Sequence, residues 1–312
     1  MALKINKEMN AQEIIAYMES LQNESQRRVL MGFFKTGPGE YGEGDEFLGL
    51  KVPETREVVK AAGNDFALSE VPELLMNRWH EVRLCGFLIL VAKFEKLATK
   101  RLENNPDAIA KRDEIVQLYL QYAEQANNWD LVDLSVHKIL GHWLLLPSNL
   151  GDRDYKIKIL DDLAASPCLW KQRMSIVCSW KTSQMGDPSW CLRYAEIHLH
   201  HPHDLMHKAA SKRGQSQAKE QREQYQARLN TAESRLSSRN SNRLSYAERE
   251  QARLMAKAVG WMLREMGKRV SMDLLREFLQ QHAHEMPRTM LRYAIEKMPE
   301  AERKAILSQS KI

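Results

Sequence analysis

Cysteine is scarce in this 312-residue chain, and the four present, at 85, 168, 178 and 191, form no CxxC pair and no short Cys/His pattern with metal-ligand spacing. Each lies in an apolar stretch, so reduced, packed thiols are expected and no metal. Long hydrophobic runs are missing too. The longest, RLCGFLILVAKF at 83–94, is about half of what a bilayer span requires. No apolar secretory core opens the sequence, so a cytoplasmic protein with no membrane partner is expected. Gly and Pro number only 14 and 10, and hydrophobic residues make up 43%, which excludes collagenous and disordered classes. Alternating strand patterns are nearly absent.

A strong charge of one sign is also lacking, since 46 basic residues face 41 acidic ones. The surplus is local. Between Ser211 and Ala252 there are nine Lys or Arg against five Glu, whereas the rest of the chain carries 37 basic and 36 acidic residues. A nucleic-acid partner therefore cannot be argued from net charge and must rest on particular residues on a particular face. The same segment has six Gln, seven Ser and few apolar residues, and reads as a polar insertion that adds little core. Its flanks echo each other: Leu205-Met206-His207-Lys208-Ala209 returns as Leu254-Met255-Ala256-Lys257-Ala258, so two stretches compete for one helical register.

What the chain has in quantity is helical periodicity. Asn10 and Glu13 form a capping pair ahead of an apolar stripe through Ile14, Ile15, Met18 and Leu21. Further helices fit 69–76, 79–97, 107–126, 129–140, 154–165, 168–180, 188–199, 271–283 and 288–297, joined by short connections. The segment 35–53, with five Gly, two Pro and four acids, reads as an ordered loop closing through Phe47 and Leu48 onto a helix led by Pro53. Loose units of about 35–45 residues, each with one or two amphipathic helices, point to an all-α fold. The expectation is a HEAT-like helical-repeat solenoid of stacked antiparallel helix pairs with a concave face, one domain over 1–312 interrupted at about 211–252.

Three stretches carry residues that ordinary packing does not explain. On a helix starting near Trp129, Asp133 falls only about 40° from the indole, on an aromatic and aliphatic arc, where a carboxylate must be hydrogen-bonded, paired or facing a cleft. Asp130 lies nearer the helix start and the polar side and suits the role of a capping or structural acid. In LWKQRMSIVCSWK at 169–181, Arg173 emerges between Val177 and Trp180, and three partners stay open for it: a buried acid, an indole or a phosphate oxygen. The third stretch, KAVGWMLREMGKR at 257–269, carries Trp261. Seven Trp occur in all, and an indole beside a cleft can bind a cationic nucleobase while a nearby carboxylate stabilises positive charge developing on a sugar.

With these residues in place, the chain resembles the AlkD-type DNA alkylation repair family of HEAT-like DNA glycosylases. The resemblance spans about 10–300 and is carried by EFLGLKVPETRE at 46–57, WHEVRLCGFLIL at 79–90, NNWDLVDLS at 127–135, LWKQRMSIV at 169–177, KAVGWMLREMGKR at 257–269 and MLRYAIEKMP at 290–299. It implies that Asp133 is the catalytic aspartate, that Trp129 and Trp261 line the lesion site, and that Arg173 contacts a DNA phosphate. It further implies a monomer that removes cationic N3- or N7-alkylated purines from double-stranded DNA with no cofactor and no metal. The insertion departs from the family pattern, and Trp261 keeps its place if the Leu254-Met255 copy completes the helix.

Two other functions compete. A noncatalytic helical-repeat module binding DNA or a protein predicts Asp133 sequestered in a salt bridge, whereas a glycosylase predicts Trp129, Asp133, Arg173 and Trp261 converging on one surface. A metal hydrolase using LHHPH at 199–203 lacks a convergent carboxylate pattern.

Overall fold

Capping residues fall where the helices begin. In the computed structural model, which describes residues 10–63, 66–199 and 246–309, the Asn10 carboxamide accepts from the Glu13 amide and the Glu13 carboxylate accepts from Asn10, opening α1 (Ala11–Ser20). Asn23 caps α2 (Glu24–Phe33), Asn105 caps α6 (Pro106–Gln121) and Asp152 caps α9 (Arg153–Ala164). Between them run α3 (Val52–Ala62), α4 (Val71–Leu75), α5 (His80–Leu97), α7 (Trp129–Ser135) and α8 (Leu140–Trp143). The described chain continues with α10 (Leu169–Val177), α11 (Ser179–Gln184), α12 (Ser189–Leu199), α13 (Tyr246–Arg269), α14 (Met272–His282), α15 (Arg288–Ala294) and α16 (Glu300–Gln309).

These helices pair and stack in chain order. Helix α5 packs on α3, α4, α6 and α7; α10 packs on α7, α9 and α13; α13 in turn packs on α11, α12, α14 and α15. The described residues contain no sheet, only an isolated bridge between Glu46 and Trp79. The architecture is an all-α helical repeat of the HEAT-like solenoid kind. Helix α5 is its inner rod, buried from His80 through Val91, and such a helix needs no polar face.

The helix expected over 107–126 ends at Gln121 and the one expected over 168–180 divides at Cys178 into α10 and α11; two further differences bear on the site. The single helix expected over 129–140 stops at Ser135, whose hydroxyl donates back to the Leu131 carbonyl at 2.5 Å, and helix resumes at Leu140. The break seats Gly141 against the α10–α11 junction, where a Cβ would stand 2.2 Å from the Cys178 carbonyl oxygen. The second difference concerns the polar insertion. Its last seven residues, 246–252, already belong to α13, and the Leu254–Ala258 copy holds the helical register, with Leu254, Ala256 and Ala258 buried. The copy at 205–209, the rest of the insertion and His200–His203 of LHHPH lie outside the described residues.

Helix α13 meets α15 at Gly260, where an added Cβ would lie 2.3 Å from the Met290 carbonyl oxygen and 2.7 Å from the Tyr293 Cβ. Gly260→Ala would gain up to about 1 kcal/mol in helix propensity. It would also force the helices apart, at about 1–3 kcal/mol for overpacking. Net destabilisation in urea unfolding is the expected outcome; a stabilised variant would show that the contact yields freely.

Candidate active site

Helix α7 begins with the stretch that the sequence singles out. The Asn128 carboxamide oxygen accepts from the Trp129 amide, and the indole then stacks on Phe34 at 5.3 Å and meets Phe33 edge-on at 5.8 Å. Both phenylalanines come from the end of α2, so two distant helices supply one aromatic wall. On one side of it lies a cavity of about 330 Å³ lined by Phe33, Phe34, Phe47, His80, Trp129 and Asp133 among others. On the other lies a cleft of about 460 Å³ that includes Tyr41, Trp129, Arg173, Lys257 and Trp261.

Asp133 and Arg173 join the two spaces. Arg173 Nε donates to Asp133 Oδ1 at 2.9 Å and Nη2 to Oδ2 at 2.8 Å, a two-pronged pair, while Nη1 donates to the Leu254 carbonyl of α13 at 2.9 Å. Three of the five guanidinium N–H groups are thereby engaged within the protein. The Asp133 side chain keeps 16% of its surface exposed, against 7% for Arg173. Burial lifts the Asp133 carboxyl above the ordinary carboxylate range; Arg173 pulls the other way, and the neighbouring Asp130 charge adds to the rise.

The four residues singled out in the sequence thus gather around one indole. Trp129, Arg173 and Trp261 line the cleft, and Asp133 is bonded to Arg173 at its border. Asp133 does sit in a salt bridge, the arrangement set against catalysis above, yet its partner is another residue of the same site and the pair opens on the cavities.

Sequence reasoning missed a buried polar chain behind the wall. His80 Nδ1 lies 2.7 Å from Asp45 Oδ2 and Nε2 lies 2.9 Å from Asp130 Oδ2, with the ring stacked on Phe47 at 4.4 Å. Asp130, expected as a capping or structural acid nearer the polar side, takes the structural role: it is buried and held by His80, because the α7 start turns inward against α5. Burial, the largest influence on the imidazole, favours its neutral form; the charges and hydrogen bonds of Asp130 and Asp45 outweigh it and push His80 up to about 9. Asp45 also pairs with Arg83, and despite burial, its largest influence, His80 and Arg83 hold it below the usual carboxylate range.

Glu81 anchors the 35–53 loop. Its carboxylate accepts the amides of Leu48, Gly49 and Leu50 at 2.9, 2.9 and 3.0 Å, and the His80 amide donates to the Glu46 carbonyl at 2.8 Å. A signal for this cluster stood in the sequence: His80, Glu81 and Arg83 open a helix whose following stretch, Leu84 to Ala92, carries no charge.

Among the described residues no group of His, Cys, Asp or Glu side chains has the arrangement of a metal site, and no helix is long and apolar enough to cross a membrane. No curated protein matches the chain significantly. A family pattern does match, over residues 14–248 and 245–298, its two segments meeting where α13 begins. With that match running over most of a helical-repeat chain, the protein belongs to the DNA alkylation repair enzyme family.

Proposed function

We propose that the protein is a monofunctional DNA glycosylase that hydrolyses the N-glycosidic bond of cationic N3- or N7-alkylated purines in duplex DNA. The observation that carries this reading is Asp133, a partly exposed carboxylate gripped by Arg173 beside Trp129 and close to the cleft that holds Trp261. Alkylation at N3 or N7 leaves the purine positively charged and already a good leaving group, so the site needs little acid catalysis. It needs a fixed negative charge and a positioned water.

In this mechanism the indoles of Trp129 and Trp261 hold the cationic base by cation–π attraction and stacking. The bond from C1′ to the purine nitrogen breaks, and its electron pair leaves with the base and neutralises it. Positive charge grows on the sugar, and ionised Asp133 stabilises it. A water oriented by the same carboxylate then bonds to C1′ and passes its proton to Asp133, which returns it to solvent. Arg173 fixes the Asp133 rotamer, and its two remaining N–H groups suit a phosphate oxygen of the same strand.

The test is release of 7-methylguanine and 3-methyladenine from methylated duplex DNA by the purified chain. Free base accumulating linearly with enzyme concentration is the expected outcome. Duplex binding with no base released would favour a noncatalytic module, the reading that the Asp133–Arg173 salt bridge itself supports.

A further inference from the structure

We infer, on the DNA function proposed above, that Lys35, Arg253 and Lys257 form a rail for the phosphodiester backbone along the Trp261 cleft. Cleft charge is the first ground. Arg173 has most of its donors committed inside the protein, whereas Lys35 and Lys257 form no ion pair with any described residue. Arg253 makes only a loose contact with Glu250 of its own helix, at 3.6 Å and with more than half of its side chain exposed. Glu250 is the one carboxylate lining the cleft among the described residues, so positive charge prevails there.

Spacing is the second ground. Arg253 and Lys257 stand four residues apart on α13, on one face and about 6 Å along the axis. Successive phosphates of one strand advance about 3.4 Å along the duplex, so this pair can meet neighbouring phosphates rather than a single one. Lys35 lines the same cleft from the end of α2, with Phe33 and Tyr41.

Backbone conformation at Lys35 is the third and independent ground. Among the described residues it alone, glycine apart, has a positive φ, at 56°. Helix α2 ends there with the Thr36 amide bonded to the Met31 carbonyl at 3.2 Å, a closure whose left-handed position glycine fills best. A lysine held at such a position costs about 1 kcal/mol or more and brings no packing in return, since its side chain is exposed. Its use lies in the charge it puts on the rim.

Binding of a short lesion-free duplex, followed by fluorescence anisotropy over a range of salt concentrations, tests the rail. Each of Lys35→Met, Arg253→Met and Lys257→Met should lower the slope of log affinity against log salt by about 0.9, and the triple variant by nearly three times that. Lys158→Met, an exposed α9 lysine outside the cleft lining, should leave the slope unchanged. Lys35→Gly separates charge from folding: it should unfold at the same or a higher temperature and still lose the slope of Lys35→Met. A wild-type chain with no salt-dependent duplex binding would overturn the DNA function itself. Wild-type binding with an unchanged slope in the triple variant, or an equal loss in Lys158→Met, would overturn the rail alone.

Discussion

Asp133→Asn is expected to lower base release by about 10²-fold or more while duplex DNA stays bound. The amide keeps the shape of the carboxylate and can still accept one hydrogen bond from Arg173, but it brings no charge to the developing sugar cation. Removing a negative charge beside a polyanion cannot weaken attraction to it, so affinity at low salt should hold or rise. Comparison of single-turnover release with anisotropy decides the matter, and release within a few-fold of wild type would remove Asp133 from the chemistry. Its pH dependence supplies a second check. Because burial raises the Asp133 carboxyl, release by the wild type should fall on acidification with a midpoint above the ordinary carboxylate value, as the ionised form is lost.

His80→Leu should have the largest effect on stability, about 3–5 kcal/mol, the range for removing one member of a buried charge pair. Asp45 would keep Arg83, whereas Asp130 would lose its partner, since its other oxygen, Oδ1, takes no hydrogen bond from any described residue. The sign with pH follows from the direction of the shift. Raised to about 9 in the folded chain from an ordinary value near 6.5, His80 contributes fully below pH of about 6.5, and that contribution fades as pH rises through 9. Urea midpoints of the wild type should therefore drop between these limits, and those of His80→Leu should lack that part of the drop. Equal pH slopes in the two proteins would mean that His80 is neutral in the fold.

Much of the fold was legible because its cause is local. The Asn10–Glu13 capping pair and the apolar run of α5 declare helices without knowledge of neighbours, and the short spacing between helices implies that they stack. The break after Ser135 was not legible, because it answers a close approach of Gly141 to the Cys178 carbonyl 37 residues on. In the candidate site, the position of Asp133 beside Trp129 follows from helical geometry alone. The Asp45–His80–Asp130 chain links residues 35 and 50 positions apart, a distance over which no periodicity acts. The wheel alone does not show that Asp130 is buried, since it treats α7 as an isolated cylinder and α5 decides which flank is covered.

The carbonyl of Leu254 has a meaning beyond its single hydrogen bond. One guanidinium grips it and Asp133 together, so the phase of α13 and the posture of the carboxylate are sensed by the same side chain. A rotation of α13 without translation, or a slide without rotation, would carry that carbonyl off Arg173, whereas a one-residue screw slip would put the next residue's carbonyl in its place. The bond fixes the backbone phase of α13 and the burial of Leu254, Ala256 and Ala258 selects which residues occupy it, so that Trp261, two turns further along, keeps one angular setting.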